Sequence, residues 1–225
     1  DQSQFNLNHQ PVDFERTLTK DGVFLYKAGM RPVSPIVDAT NLTMLETGQP
    51  LHAFDYDKFI AIGGTDSPKI IVRAAREGEK ITLIDDTEIE LNTNDIVITS
   101  NDIPVALAGA MGGKNTEIDA STKRILIESA TFSLYNLRKT QMAHGIFSEA
   151  ITRFTKGQPV FGTVPALRSC LDKLGIKDSS NLVFADCLVQ IPTQQAIKLS
   201  LTDLNQTLGS DFTLAQVKQT LMNVG

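Results

Sequence analysis

The chain has 225 residues, of which 41% are hydrophobic and 21% are charged, and its formal net charge is −5. This composition is ordinary for a globular domain with a core of normal size, and the acidic balance weighs against broad, non-specific binding to nucleic-acid phosphates. No apolar run approaches the roughly 20 residues that span a bilayer, and the polar residues 1–10 predict no signal peptide.

Cysteine usage and the two chain ends give two further expectations. Cys170 and Cys187 fit no metal-binding spacing, so we expect reduced thiols and a cytoplasmic location. The sequence begins at Asp1 rather than Met, and the last predicted helix runs to the final residue. We therefore expect an internal piece of a longer chain.

The first quarter of the chain is predicted to contain a strand, a short helix and two loops. Residues 1–21 are polar and weakly patterned, whereas residues 33–39 are apolar and partly β-branched, which predicts a strand. Thr40 or Asn41 can cap a helix over residues 42–47, which Gly48 ends. Residues 49–55 are predicted to form a loop that carries His52.

Short strands and turns dominate the middle of the chain, and helices follow them. Strands are predicted at residues 69–75, 80–84, 87–91, 95–100, 104–110 and 124–130. Asp85 and Asp86 favour a hairpin turn between the second and third of these strands. Ser133 caps a predicted helix over residues 134–144 that Gly145 closes, and further helices are predicted near residues 148–155 and 164–174.

The last 45 residues are predicted to cross a domain boundary. A strand at 181–191 is followed by a polar break, a short strand at 197–199, a helix from Ser200 or Thr202 to Gly209, and a helix begun by Thr213. We predict an α+β fold with mixed β-sheets and flanking helices over residues 1–191. The first part of a small helical domain is predicted to occupy residues 192–225.

Two candidate sites lie in the first quarter of the chain. A strand end followed by a helix start would bring backbone N–H groups together with the side chains of Thr40 and Asn41, which suits an oxygen-rich ligand. The alternative is an ordinary helix cap. His52 lies among turn and apolar residues and can bind substrate or orient water, or it can be a structural histidine bonded to a backbone carbonyl.

Two more candidates lie on the later strands. The glycines of residues 108–113, Gly109 among them, allow close approach of the backbone to a ligand, or they form a tight turn. Glu128 alternates with apolar residues and is costly to bury without a partner, or it faces solvent. The residues alone predict a pocket formed by these segments, and they do not define a reaction.

Four motifs occur together, in a fixed order: RPVSPIVDATN, GQPLHAFD, PVALAGAMGG and ILIESATF. As a set they resemble the editing module of the β subunit of bacterial-type phenylalanyl-tRNA synthetases, over residues 29–156. The segment from residue 192 onward resembles the start of the small helical domain that follows in that subunit.

The resemblance implies a cytoplasmic α₂β₂ enzyme whose α subunit activates phenylalanine with ATP and Mg²⁺. The β-subunit module would hydrolyse tyrosine wrongly attached to tRNA(Phe), and its partners would be the α subunit and the tRNA acceptor end. A second site is needed because a pocket built for phenylalanine cannot strongly reject a ligand that only adds a hydroxyl.

The resemblance also assigns roles to residues. Thr40 and Asn41 would hold the aminoacyl-adenosine end or the attacking water, and His52 would position the ester or the water. Glu128 would accept the tyrosine hydroxyl, and we expect these four residues to line one pocket. No metal or other cofactor is implied at this site.

The resemblance further implies that Gly109 gives the backbone room and that Ala150 is a small lining residue. One alternative is a non-catalytic module that braces the α subunit or the tRNA. Another is an RNA-binding domain, based on the basic residues Arg138, Lys139, Arg153 and Lys156.

Overall fold

The computed structural model describes residues 19–176, 182–186 and 196–224. The chain divides into two compact units, Asp1–Ala185 and Asp186–Gly225, and each is described by itself. Helices and antiparallel sheets occur together in the first unit, which confirms the predicted α+β class. None of the helices in the described ranges combines the length and the apolar character needed to cross a membrane.

The elements of the first unit alternate between helices and short strands. In chain order they are α1 (Lys20–Lys27), α2 (Pro35–Thr47), β1 (His52–Asp55), α3 (Tyr56–Gly63), β2 (Ile70–Ala74), β3 (Lys80–Thr82), β4 (Glu88–Glu90), β5 (Ile96–Ser100), β6 (Ile103–Leu107), β7 (Met111–Gly112), β8 (Ile125–Glu128), α4 (Leu134–His144), α5 (Glu149–Phe154) and α6 (Thr163–Lys173). The second unit contains α7 (Leu201–Leu208) and α8 (Leu214–Met222).

The strands of the first unit pair into antiparallel sheets. One sheet has the order β2-β5-β6-β7, and the hairpin β3-β4 turns at Asp86, which has a positive φ of 66°. The third pairing joins β1 to β8, which are separated by about 70 residues in the chain. This two-stranded ribbon carries the candidate site.

The core surrounds the ribbon with apolar side chains. One cluster joins β3–β6 to α4 and α5 through Leu137, Ile151 and Phe154. A second cluster packs Phe54 of β1 and Phe59 of α3 against β5 and β6. The ribbon is therefore fixed to the four-stranded sheet through the side chain of Phe54.

The predicted strand at residues 33–39 is wrong, because this segment begins helix α2. The side chain of Ser34 accepts a hydrogen bond from Val37 N, and Pro35 occupies the first helical turn. Ser at the cap followed by Pro is a strong start signal, and it outweighs the β-branched residues here. Thr40 and Asn41 consequently lie inside the helix and do not cap it, whereas Gly48 ends it as predicted, with a φ of 77°.

The predicted loop at residues 49–55 is also wrong in part, because residues 52–55 form β1. The unpredicted helix α1 begins within the segment expected to be a loop. The six strands predicted in the middle of the chain are all present in shorter form, and Ser133 and Gly145 flank α4 as predicted.

In the second unit, the structure confirms the predicted helices but not the predicted strand. Ser200 caps α7, Gly209 ends it, and Thr213 caps α8. Residues 196–200 do not form the predicted short strand. Of the strand predicted at 181–191, residues 182–186 have no regular structure, and the remainder lies outside the described residues, as do Cys187 and residues 1–18. The functional assignment of the two predicted domains stays a prediction.

Candidate functional site

The centre of the candidate site is a cross-strand pair. His52 is the first residue of β1 and Glu128 is the last residue of β8, and the antiparallel register places them directly opposite each other. Residues in such a position have their side chains on the same face, with Cβ atoms about 4.5–5.5 Å apart. The fold therefore joins two of the predicted site residues, which are 76 positions apart in the sequence.

Both side chains line one small cavity, which is partly open to solvent. The other ten lining residues are apolar or glycine: Pro50, Leu51, Ala106, Leu107, Gly109, Ala110, Met111, Gly112, Ala150 and Phe154. Two polar groups thus converge on an otherwise apolar space, which is the usual construction of a small-molecule site.

Burial shifts the protonation of both polar groups toward the neutral form. It lowers the pKa of His52 to about 4 and raises the pKa of Glu128 to about 7. Loss of water favours the uncharged form of an acid and of a base alike. At neutral pH the imidazole is uncharged, and the carboxyl group is divided between its two protonation states.

The imidazole of His52 is held between Phe54 and Gly112. Its ring meets the Phe54 ring edge-on at a centroid distance of 4.5 Å. A Cβ atom added to Gly112 would lie 2.4 Å from Cε1 and 2.5 Å from Nε2 of His52. Gly112 is therefore a site residue that the sequence interpretation missed. The sequence shows a Gly-rich run, but its spacing does not identify the glycine that contacts His52.

Gly109 also lines the cavity, for a different reason. Its φ is 67°, and an added Cβ would lie 2.8 Å from Phe132 Cδ2 and 3.0 Å from Leu137 Cδ1. Glycine adopts this conformation without strain. The residue lets the chain turn after β6 while it passes close to Phe154 of the cavity wall, whose Cδ2 would lie 3.2 Å from the added Cβ.

Ala150 and Phe154 form the wall contributed by α5. The Ser148 hydroxyl donates to Ala110 O at 2.6 Å and accepts from Ile151 N at 3.2 Å. It therefore caps α5 and ties it to the loop that carries Gly109. The position of Ala150 next to the cavity depends on this connection.

Thr40 and Asn41 are not among the cavity-lining residues. Thr40 is buried, and its hydroxyl donates to Val37 O at 2.8 Å within α2. Helix α2 contacts β1, so both residues belong to an element that supports the ribbon. The structure brings His52, Glu128, Gly109 and Ala150 together and leaves Thr40 and Asn41 outside the cavity.

The fold belongs to a recognised class of domain. Residues 22–175 match the B3/4 domain, and the chain belongs to the B3/4 domain family. The chain is also similar to proteins named phenylalanine–tRNA ligase β subunit, which confirms the resemblance drawn from the four motifs. It is 44% identical to the protein of Dehalococcoides mccartyi (strain CBDB1) over 189 residues, and 38% identical to that of Streptococcus pyogenes serotype M1 over 203 residues.

A third relative, the β subunit of Latilactobacillus sakei subsp. sakei (strain 23K), is 38% identical over 210 residues. The three matches cover 82–89% of this chain and 22–25% of the relatives. The chain thus spans about a quarter of the length of the curated relatives it matches.

Proposed function

We propose that this chain is the editing module of a phenylalanyl-tRNA synthetase β subunit and hydrolyses the ester that links tyrosine to tRNA(Phe). The observation that carries the proposal is the placement of His52 opposite Glu128 in one apolar cavity. The apolar walls suit an aromatic side chain, and the two polar groups suit a hydroxyl and an ester. In this proposal the α subunit and the tRNA acceptor end are partners.

Glu128 supplies the selectivity for tyrosine. Its carboxyl group hydrogen-bonds the phenol hydroxyl in either protonation state, as an acceptor when ionised and as a donor or acceptor when neutral. Bound phenylalanine would leave the same group buried without a partner, which is unfavourable. The site therefore prefers the amino acid that the synthetic site fails to reject.

His52 positions the ester or the attacking water. At neutral pH its imidazole carries one donor and one acceptor nitrogen, because burial holds its pKa near 4. Water adds to the ester carbonyl carbon, the bond from that carbon to the ribose oxygen breaks, and the ribose oxygen takes a proton. The products are free tyrosine and uncharged tRNA, and the ATP and Mg²⁺ of the complete synthetase enter no step at this cavity.

The family resemblance assigns Thr40 and Asn41 to the aminoacyl-adenosine end or the attacking water, but neither residue lines the cavity. Both lie on α2, which contacts β1, and the hydroxyl of the buried Thr40 already donates to Val37 O. We therefore propose for them a smaller contribution to hydrolysis than that of His52.

The test is the rate at which the synthetase that carries this chain hydrolyses tyrosyl-tRNA(Phe). His52→Ala should slow the reaction at least tenfold, and Ala150→Trp should block it by filling the cavity. Glu149→Ala is the matched control, because this residue is adjacent to Ala150 but its side chain is 58% exposed. If both cavity variants hydrolyse the ester at the rate of the control, the chain is a non-catalytic module.

A further inference from the structure

Gln49 is a buried polar residue next to the cavity that the proposed reaction does not use. It lies between the end of α2 and the start of β1, and only 2% of its surface is exposed. Its side-chain nitrogen Nε2 donates to Pro50 O at 3.1 Å and to Ala130 O at 2.7 Å. The second bond connects the segment before β1 to the segment after β8.

The register of the ribbon explains where these bonds fall. Tyr56 N donates to Arg124 O at 3.0 Å, so this opposed pair belongs to the hydrogen-bonded class. Such pairs recur at every second residue of an antiparallel ladder, and His52 with Glu128 is therefore another of them. Two residues further along, Pro50 comes opposite Ala130.

Proline breaks the ladder at that position. Pro50 has no backbone N–H to donate to Ala130 O, and the carbonyls of Pro50 and Ala130 both receive hydrogen bonds from Gln49 Nε2 instead. One side-chain amide thus satisfies the two acceptors that the next pair of the ladder would have used.

We propose that Gln49 is a positioning residue for His52 and Glu128, because its side chain replaces the missing backbone pair and closes the open end of the β1–β8 ribbon. Both strands are four residues long, and a two-stranded ribbon has little stability of its own. His52 and Glu128 form its terminal pair, so fraying at this end moves the site residues first.

A second observation supports a specific role for the two hydrogen bonds that Gln49 Nε2 donates. Within the described residues, Gln49 Oε1 is buried and has no hydrogen-bond partner. An unpaired buried acceptor is destabilising, so the amide is an inefficient choice for stability alone. The two bonds that it makes are both bonds of the ribbon end.

The inference rests on the proposed function, and the experiment separates the two. Gln49→Met keeps the shape of the side chain and removes both donors. In the intact synthetase it should lower kcat for tyrosyl-tRNA(Phe) hydrolysis about 10- to 100-fold with a small change in KM. In the 225-residue chain, the backbone amides of His52 and Glu128 should exchange with solvent about tenfold faster.

Two further variants make the test specific. Gln49→Met combined with Pro50→Ala restores a backbone N–H opposite Ala130, and it should recover most of the amide protection. Ser100→Ala is the matched control, because it removes another buried side-chain bond, to Phe59 O at 2.7 Å, away from the cavity. It should lower stability without changing kcat.

The outcomes are distinct. If Gln49→Met leaves kcat or the exchange of the His52 and Glu128 amides at the wild-type value, Gln49 does not position the pair. If the added Pro50→Ala recovers no protection, Gln49 does not replace a ladder bond. A wild-type enzyme without hydrolytic activity overturns the proposed function, and the exchange measurements still decide the role of Gln49.

Discussion

His52 and Glu128 titrate in opposite directions between the folded and unfolded chain. His52 has a lowered pKa in the folded state, so its contribution to stability is complete above pH 6.5 and is lost as the pH falls toward 4. Glu128 has a raised pKa, so its contribution is complete below pH 4.5 and is lost as the pH rises toward 7. In the wild type the two effects largely cancel.

Single substitutions should therefore expose opposite pH dependences. His52→Ala leaves the Glu128 effect, and the free energy of unfolding should fall by about 2 kcal/mol relative to wild type between pH 4.5 and 7. Glu128→Gln leaves the His52 effect, and the same quantity should rise by about 2 kcal/mol between pH 4 and 6.5. Urea unfolding across this pH range measures both, and parallel profiles of the two variants would show that the cavity does not desolvate these groups.

Gly112 should be intolerant of a methyl group. Gly112→Ala places a Cβ against the His52 ring and should slow tyrosyl-tRNA(Phe) hydrolysis at least tenfold, with a loss of about 1–3 kcal/mol in stability. Gly162→Ala is the matched control, because its added Cβ meets its nearest neighbour at 3.6 Å. If the two variants hydrolyse the ester at equal rates, close packing of Gly112 against His52 is not required for hydrolysis.

At the residue scale, the sequence predicted which residues belong to the site better than it predicted how they are arranged. His52, Glu128, Gly109 and Ala150 line one cavity. The residue types predict the first three as candidates, and the family resemblance adds Ala150 and assigns the roles. Their proximity depends on the pairing of β1 with β8, and nothing local in either segment specifies a partner about 70 residues away.

At the element scale, local signals identified most helices and strands. Helix ends are recognisable because the bonds that stabilise them lie within one turn. Examples are Ser133 and Gly145 at the two ends of α4, and the capping box of Thr213 and Gln216 at the start of α8. The strand prediction for residues 33–39 was wrong because the apolar, β-branched residues are typical of a strand, whereas Ser34 and Pro35 start a helix. The helix also packs against β1 and α6, and this tertiary contact buries Ala39 and Met44.

Ser148 should hold helix α5 in position at the cavity. Ser148→Ala removes the cap and the bond to Ala110 O and should lower the free energy of unfolding by about 1–2 kcal/mol. Hydrolysis should also slow, because Ala150 and Phe154 then lose their fixed position at the cavity. The control is Ser133→Ala, which removes the cap of α4 and should cause a comparable loss of stability with full hydrolytic activity. Full hydrolytic activity in Ser148→Ala as well would contradict a role of Ser148 in positioning the cavity wall.

At the scale of the whole molecule, the chain supplies a cavity and spans about a quarter of the length of its relatives. Its net charge of −5 does not favour extended contact with the tRNA backbone. We therefore expect selection between amino acids to reside in this chain, and most of the affinity for the tRNA body to come from the rest of the synthetase.

The most direct test of the central claim is the ratio of hydrolysis rates for tyrosyl-tRNA(Phe) and phenylalanyl-tRNA(Phe) in the intact synthetase. The wild type should prefer the tyrosyl ester by at least tenfold, because only tyrosine satisfies Glu128. Glu128→Ala should bring the ratio close to one by slowing hydrolysis of the tyrosyl ester. A wild-type ratio that Glu128→Ala leaves unchanged would show that the carboxyl group facing His52 does not read the tyrosine hydroxyl.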